Sequence, residues 1–457
     1  MKNFFKTYKK ETIIFFVCFA TKLISFFIVL FLRFKFGDWE FLHSVAEPSG
    51  KIFSGGIPTF NFHEPGDFHP PLYYFFTASV LTALPYEWVI YLIQGLLISI
   101  AAVFVYKTGK MVLYSERLLT NGLGEKIAFW SAILFSVEPY LSFETNTLGS
   151  DVLGLFFFVF FSYFFIKYFK EGALAPLYAS ASFLGLATLT RPGTLYLPVI
   201  IGFFFLFFSF TARESLFRLL KHFLVFTAIF MLFIAPWIII NKIVYNEFVF
   251  SRLSRVNFYP YNAATFVAAK ERISFGEART RLEEKARQET EKSGEPLDDY
   301  YAREAFKIIF SDPIFYAKVH LIKSVPFLLQ PGYEIMLHGY GVPYKPDRPD
   351  LTLLFMQRNF SAILKFITNI DFATTLYLLG IMFWGILNIL FFAALARSFR
   401  NDKFVFLVFL FFGLTILYHA ALFGTIAVAR YRLPLYFMFF LPAFYVIFSR
   451  KNLSAEN

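Results

Sequence analysis

Uncharged runs of aromatic and aliphatic residues recur along this sequence and limit what it can fold into. Leu153–Ile166 and Ile201–Phe210, for example, contain no charged side chain. Of the 457 residues 57% are hydrophobic and 16% are charged, which is too little charge for a soluble chain of this length. Lipid is therefore the predicted solvent. The spanning segments should be helices, because backbone in lipid must satisfy its own hydrogen bonds.

We predict an all-α polytopic membrane protein of about ten spanning helices. Two further apolar stretches, 71–85 and 314–330, are short and interrupted, which favours helices lying on the membrane surface. The predicted spans are 12–34, 88–106, 126–142, 152–169, 174–190, 194–210, 222–240, 371–396, 403–421 and 431–449.

The positions of the basic residues predict the orientation. With the N-terminus in the cytoplasm, the segments 107–125, 211–221 and 397–402 are all cytoplasmic, and all are basic. The C-terminus is then also cytoplasmic. The net charge of +11 is explained by loops that face lipid head groups and cytoplasm, so we predict no nucleic-acid partner.

The two long loops then lie on the extracytoplasmic side and divide the chain. In the second loop, 270–292 is predicted to be a solvated helix because Glu alternates with Arg and Lys at helical spacing. The predicted parts are a transmembrane module 1–240 with outer loop 35–70 and juxtamembrane helix 71–85, an extracytoplasmic region 241–370 with amphipathic helices, and C-terminal spans 371–457.

The first outer loop carries the candidate general base. Asp38 follows the first span, where partial desolvation would raise its basicity and let it accept a proton from a hydroxyl, and Glu40 follows two residues later. The alternative is a plain loop acid. His69 precedes a Pro-Pro helix start, and Tyr73 belongs to an aromatic run typical of an interfacial anchor. The histidine spacing in this loop matches no metal signature.

Candidate cations lie on short turns of the same predicted face. Arg191 lies between two spans, and Arg430 and Arg432 precede the last one. Arginine suits phosphate oxygens, although lipid head-group contacts are the alternative for each. Glu144 and Asp151 border another short turn.

One charge lies near the middle of a predicted span. Lys22 lies in the first span, where a charge is costly and marks a functional site or an ion pair within the bundle.

These motifs together resemble the GT-C fold glycosyltransferases, specifically bacterial relatives of the dolichyl-phosphate-mannose protein mannosyltransferases and of the aminoarabinose transferases of lipid A. The resemblance covers most of the first 240 residues and returns at the last span. It is carried by Asp38, Gly55-Gly56, Pro70-Pro71-Leu72-Tyr73-Tyr74, Lys107-Thr108-Gly109-Lys110, Ser150-Asp151, Leu189-Thr190-Arg191-Pro192 and Arg430-Tyr431-Arg432-Leu433-Pro434.

The resemblance implies a GT-C-like bundle in a bacterial inner membrane. It also implies transfer of a sugar from a polyprenyl-phosphate donor to a hydroxyl of a lipid, glycan or protein acceptor, with inversion, on the extracytoplasmic face. Asp38 takes the position of the family's catalytic acid. Many relatives have Asp-Glu there, whereas Trp39 here separates Asp38 from Glu40.

The chemistry of the loop residues and the family resemblance together predict further site residues. Arg191, Arg430 and Arg432 are predicted to bind the donor phosphate. The predicted donor or acceptor site contains His69, Tyr73, Glu144 and Asp151. No cofactor is required, and nothing in the sequence supports a divalent metal.

Two other classes of protein compete with this prediction. A transporter or flippase of lipid-linked sugars would need charged or broken helices near mid-membrane and a pseudo-repeat, and we find no repeat. A non-catalytic scaffold would present the outer loop to partners. Loss of activity on substitution of Asp38, with normal expression, would separate an enzyme from both.

Overall fold

A computed structural model describes residues 9–36, 70–113, 122–212, 215–252, 257–342, 350–368, 371–426 and 428–453. Within these ranges the chain forms helices and no strand, and the predicted all-α polytopic membrane fold is confirmed. The predicted residues Asp38, Glu40 and His69 lie outside the described residues.

We number the α-helices in chain order. They are α1 Lys9–Phe36, α2 Leu72–Ala83, α3 Glu87–Val112, α4 Leu123–Val137, α5 Pro139–Glu144, α6 Asp151–Glu171, α7 Leu174–Thr190, α8 Leu197–Ala212, α9 Leu216–Tyr245, α10 Ala264–Glu271, α11 Phe275–Ser293, α12 Leu297–Phe310, α13 Pro313–Lys323, α14 Val325–Leu329, α15 Tyr333–Gly339, α16 Leu351–Met356, α17 Phe360–Thr368, α18 Phe372–Asn401, α19 Lys403–Phe423 and α20 Tyr436–Leu453.

In the described part of the chain, eight stretches are long and apolar enough to cross a membrane. Each contains or overlaps one of the predicted spans. They are Lys9–Leu32, Glu87–Val112, Asp151–Glu171, Pro192–Thr211, Leu216–Ile243, Phe372–Asn401, Lys403–Ile426 and Ala429–Ser449.

The other two predicted spans differ from this group. Helix α7 has the predicted bounds but is 17 residues long, about 26 Å, slightly less than a bilayer core. The predicted span 126–142 is two helices, because α4 ends at Val137 and α5 begins at Pro139. Proline suits the first turn of a new helix, and it cannot donate the backbone hydrogen bond that a continuous helix needs.

The chain divides into two compact units. The first comprises 1–250, 386–418 and 433–457, and the second comprises 251–385 and 419–432. The predicted division at the long loops assigns 371–457 to one segment, whereas in the structure parts of α18 and α19 belong to the second unit.

The first unit packs through aromatic rings and small residues. The Phe165 ring lies 4.8 Å from that of Phe411, which joins α6 to α19. Small residues allow other helices to approach closely: a Cβ on Gly185 of α7 would lie 2.6 Å from the Cβ of Phe233 in α9. Close helix approach through small residues is typical of membrane bundles, where packing rather than burial from water drives association.

The second unit contains a soluble-type core. Helix α11 buries Ala278, Leu282 and Ala286, spaced four residues apart, and exposes most of its charged residues. The Ser274 side chain caps this helix by accepting from Glu277 N at 3.1 Å. This confirms the helix predicted over 270–292, with a later start. The core also contains Tyr259, Ala263, Ala264, Phe266, Ala268, Tyr300, Tyr301, Ala305 and Leu353.

An ion pair within this unit joins the end of α13 to the start of α16. Lys323, almost fully buried, donates to Asp350, which also accepts from Leu353 N at 3.0 Å and caps α16. Burial by itself would raise the pKa of Asp350. The charge of Lys323 and the hydrogen bonds to the carboxylate outweigh burial and lower that pKa below its usual value.

This lowered pKa predicts a pH-dependent contribution to stability. Because the folded state has the lower pKa, the contribution is complete above the unfolded pKa of about 4 and is lost as pH falls through the folded value. We expect Asp350→Asn to cost about 1–3 kcal/mol at neutral pH. The difference in Tm between the wild type and the variant should shrink as pH falls below about 4. A difference that is constant with pH would contradict this account.

Candidate active site

The helix break at Glu138 organises the polar part of the first unit. Two residues of α1 satisfy the end of α4: Thr21 donates to Ser136 O at 2.8 Å, and Lys22 Nζ donates to the same carbonyl at 2.9 Å. Glu138 Oε2 accepts from Leu141 N at 2.6 Å and caps α5. A cation at a helix C-terminus and an acid at a helix N-terminus both interact favourably with the helix dipole. The break is therefore stabilised inside the protein, as non-helical backbone at membrane depth requires.

Lys22 is thus a structural element of this break. Its side chain is 2% exposed, and Nζ also donates to Ser142 Oγ at 2.8 Å. The sequence left open whether Lys22 marks a functional site or pairs with a carboxylate. The hydrogen bonds of its Nζ go to a backbone carbonyl and a hydroxyl.

Two buried amides hold the segment that follows α5. Asn146 donates to Ser142 O at 2.8 Å and to Ser25 Oγ of α1 at 3.0 Å. Gln94, which is 0% exposed, donates to the carbonyls of Thr145 and Thr147, each at 3.0 Å. Since buried backbone carbonyls need partners, these two side chains fix the path of the turn between α5 and α6.

The same Gln94 connects the turn to α2. Its Oε1 accepts from the Tyr73 hydroxyl at 3.2 Å, and Tyr73 is 2% exposed. Burial raises the pKa of Tyr73 well above its usual value, so the phenol remains protonated and can donate at neutral pH. Tyr73 was predicted as a donor or acceptor site residue; in the structure its hydroxyl is used to attach α2.

Glu144 lies at the end of α5 with its carboxylate held toward this turn. The residue is 6% exposed, and its Oε2 accepts from Thr147 Oγ1 at 3.2 Å. The Thr147 hydroxyl also lies 3.0 Å from Glu144 O. A buried acid so placed is a candidate for proton transfer.

Asp151 and Arg191 form an ion pair between α6 and the turn after α7. Their side chains are 7% and 17% exposed. Arg191 is extended because Pro192 follows it, and Asp151 lies in the first turn of α6, where a carboxylate opposes the helix dipole. A Cβ on Gly154 would lie 3.2 Å from Arg191 Cδ, so glycine makes room for the arginine stem. The structure therefore brings together two predicted site residues.

We expect the Asp151–Arg191 pair to be strongly coupled in stability. Asp151→Asn or Arg191→Met removes one charge of this largely buried ion pair, which costs about 3 kcal/mol. The double variant should lose less than the sum of the single losses. Denaturation of the purified protein measures this. Glu171→Gln, in the exposed Lys167–Glu171 pair of α6, is the matched control and should change stability by under about 1 kcal/mol. Additive losses would contradict the coupling.

An apolar groove adjoins these residues within the first unit. It has a volume of about 520 Å³ and lies between α2, α3 and α6. Leu153 and Phe157, on the first turns of α6, form one side, so the groove extends from the end of the helix that carries Asp151. The other lining residues are Leu72, Phe75, Phe76, Ser79, Val80, Ala83, Leu84, Val89 and Ile93. A groove of this composition suits a hydrocarbon chain.

The two remaining predicted arginines belong to the second unit and differ in environment. Arg432 is 0% exposed and donates to Phe327 O at 2.6 Å and to Gln330 O at 2.5 Å. Its guanidinium carbon lies 3.7 Å from the centre of the Trp384 ring. These contacts favour a structural role for Arg432, although phosphate binding was predicted for it.

Arg430, by contrast, is exposed. Its guanidinium carbon lies 5.2 Å from the centre of the Tyr431 ring, and that ring stacks on Phe423 at 4.3 Å. Stacking on Tyr431 orients a charge that remains accessible to an anion.

The predicted site residues did not include Gln94, Glu138 and Asn146. An amide or acid within an apolar helical segment is itself a signal, because such groups are retained where they have partners. In the described ranges no three His, Cys, Asp or Glu side chains come together as a metal site would require.

Comparison with known proteins identifies the segment that builds this site. Residues 68–240 match the family model described as dolichyl-phosphate-mannose-protein mannosyltransferase. The resemblance seen in the sequence is confirmed. This PMT-like segment contains Tyr73, Glu144, Asp151 and Arg191. No curated protein sequence matches the chain.

Two solved structures are similar to the chain at low identity. The archaeal oligosaccharyltransferase AglB from Archaeoglobus fulgidus, in complex with an inhibitory peptide and a dolichol-phosphate, has a TM-score of 0.48 and 12% identity over 99% of this chain. This chain spans about half, 52%, of the AglB chain. ArnT from Cupriavidus metallidurans, bound to undecaprenyl phosphate, has a TM-score of 0.39 and 14% identity over 93% of this chain and 75% of its own.

Proposed function

We propose that the protein is a membrane glycosyltransferase that moves a sugar from a polyprenyl-phosphate donor to an acceptor hydroxyl on the extracytoplasmic face. The observation that carries the proposal is that the PMT-like segment contains both the buried acid Glu144 and the Asp151–Arg191 ion pair. Two further features support the proposed function: Asp38 takes the position of the family's catalytic acid, and an apolar groove is present. The acceptor belongs to the cell envelope and is a lipid, glycan or protein.

The groove and the ion pair suit the two ends of such a donor. A prenyl tail needs a long apolar surface, which α2, α3 and α6 offer. The phosphate needs a cation, and Arg191 lies on the turn after α7 beside the first turn of α6. Asp151 holds Arg191 in place before the donor binds, so the guanidinium is already oriented toward phosphate oxygens.

The chemistry requires a base for the acceptor and cations for the departing phosphate. We assign the base to Asp38, with Glu40 beside it in sequence. The anomeric bond breaks through an oxocarbenium-like state, and one displacement by the acceptor inverts the anomeric centre. Arg191 stabilises the phosphate that leaves. Arg430 is a separate candidate for anion binding, and Arg432 supports the fold. His69 and Glu144 are proposed to contact donor or acceptor groups.

Purified protein in nanodiscs, supplied with a panel of radiolabelled polyprenyl-phosphate sugars and envelope extracts, tests the proposed function. We expect label to move from one lipid-linked donor to an acceptor. The anomeric configuration of the product then reports inversion. No transfer from any donor, despite donor binding and an intact fold, would overturn the assignment as an enzyme.

The proposed orientation predicts how cysteines label in cells. In a Cys18→Ala background, a cysteine at Ser293 should react with an impermeant maleimide from outside, because α11 belongs to the extracytoplasmic region. A cysteine at Ser115 should react only after the cells are permeabilised, because the basic segment 107–125 is cytoplasmic in the proposed orientation. External labelling at position 115 would contradict the orientation.

A flippase of lipid-linked sugars is the second candidate, and the broken helix α4–α5 favours it because transporters use discontinuous helices. Against a flippase, the end of α4 at this break is already satisfied inside the protein, because Thr21 and Lys22 donate to Ser136 O. Movement of labelled donor between leaflets without formation of a glycosylated product would favour the flippase.

A further inference from the structure

Helix α17, Phe360–Thr368, differs from the other helices of the second unit because none of its residues is buried. It is strongly amphipathic. Phe360, Leu364 and Ile367 lie on one face, and their exposures are 59%, 62% and 45%. Ser361 and Lys365 lie on another face, at the helical spacing that separates polar from apolar positions.

Contacts within the described part of the chain therefore do not account for the stability of α17. A helix of nine residues is too short to be stable alone in water, and most helices in proteins are stabilised by burying an apolar face. Its described ring contacts are two edge-to-face pairs with widely spaced ring centres: 6.3 Å between Phe360 and Phe355, and 6.5 Å between Phe366 and Tyr377. The face of Phe360, Leu364 and Ile367 needs an apolar environment.

The chain itself places that environment close by. Phe372 begins the span α18 four residues after Thr368, so the end of α17 is within about 14 Å of the start of a membrane helix. Exposed apolar residues continue from one helix to the next: Phe355 and Phe372 are 57% and 67% exposed. At nine residues, about 14 Å, α17 is too short to cross a bilayer core.

Exposed apolar side chains also occur on α12 and α13, for example Phe310 and Ile314, but those helices bury another face, whereas α17 buries no residue. Helix α11, twice as long, exposes no large hydrophobic residue and is covered with Arg, Lys and Glu. A contiguous apolar face on one helix therefore marks an interaction surface.

We propose that α17 is an interfacial helix embedded in the lipid surface of the same membrane that α18 enters. Phe360, Ile363, Leu364 and Ile367 insert between the acyl chains. Lys365 lies at the level of the phosphate groups, which a basic residue on the polar face favours. The lipid supplies the burial that the described residues do not. The helix thereby fixes the second unit to the membrane surface independently of any catalytic function.

Spin labels at single cysteines test this placement in lipid nanodiscs made from Cys18→Ala protein. We expect labels at Leu364 and Ile367 to collide several-fold more with oxygen, which concentrates in lipid, than with a water-soluble nickel chelate. Labels at Ser361 and Lys365 should show the opposite preference. Met382, on the exposed side of α18, is the lipid control, and Gln288, exposed on α11, is the water control.

Equal access of the nickel chelate to all four positions would overturn the proposal, because α17 would then lie in water. Protection of positions 364 and 367 from both reagents would also overturn it, because protein rather than lipid would cover the apolar face. Each labelled protein must retain the Tm of the unlabelled Cys18→Ala protein to be interpreted. Since every label replaces an exposed residue, we expect the fold to tolerate all four.

Discussion

Replacing Asp38 by Asn is expected to abolish sugar transfer nearly completely while donor binding is largely retained. Asn keeps the size of the side chain and much of its hydrogen bonding, but it removes the basic lone pair that accepts the hydroxyl proton. Loss of a general base costs about 10²–10⁴ in rate. Transfer of labelled sugar under single-turnover conditions measures the chemical step, and equilibrium binding of the labelled donor measures the affinity separately.

Glu40→Gln is the matched control for this substitution. It removes an equivalent charge two residues away, and Trp39 separates the two acids where many relatives have them adjacent. We expect a smaller loss of rate. Wild-type transfer by Asp38→Asn together with an inactive Glu40→Gln would move the base to Glu40. If both variants remain active, Glu144 is the next candidate, because it is a buried acid on the turn that also leads to Asp151.

Arg432→Met is expected to destabilise the protein by about 3–5 kcal/mol, the largest stability effect that we predict. The substitution leaves the carbonyls of Phe327 and Gln330 without the guanidinium that binds them and removes the contact with the Trp384 ring. Methionine fills much of the same volume, so the loss reports polar contacts rather than a cavity. The Tm of the purified protein and its yield in the membrane measure the effect.

Arg430→Met tests the neighbouring arginine under the same conditions. Because Arg430 is exposed, we expect its loss to change stability by less than about 0.5 kcal/mol. If it binds the donor phosphate, donor affinity should weaken by about tenfold or more, since a charged hydrogen bond is lost. A stable Arg432→Met variant with weakened donor binding would show that Arg432, not Arg430, serves the phosphate.

Much of the architecture was predictable from the sequence because lipid imposes strong rules on composition. Uncharged apolar runs predict spanning helices, and eight of the predicted spans occur as long apolar helices in the described residues. Short apolar stretches such as 71–85 are too short for a span, and α2 is 12 residues long. Glu alternating with Arg and Lys located α11 almost as well, and Ser274 caps the start of this helix by accepting from Glu277 N.

The candidate residues could be assigned to loops from the sequence. Asp151 and Arg191 were both predicted as site residues, but nothing in the sequence indicated that they pair. Forty residues separate them, and helix propensity contains no information about which turns meet. The pairing depends on how α6 packs against α7, with Gly154 leaving room for the arginine stem.

The sequence by itself therefore determined that the chain lies in lipid, where most of its helices are, and which family residues 68–240 resemble. Tertiary structure decided what each charge does. Arg430 and Arg432 are equivalent in the sequence pattern, yet one is exposed and the other is buried against two backbone carbonyls. Lys22 of α1 similarly caps the end of α4, which lies more than 100 residues later in the sequence. Such roles depend on which unsatisfied backbone groups packing brings near a side chain, and that is a property of the folded protein rather than of any local pattern.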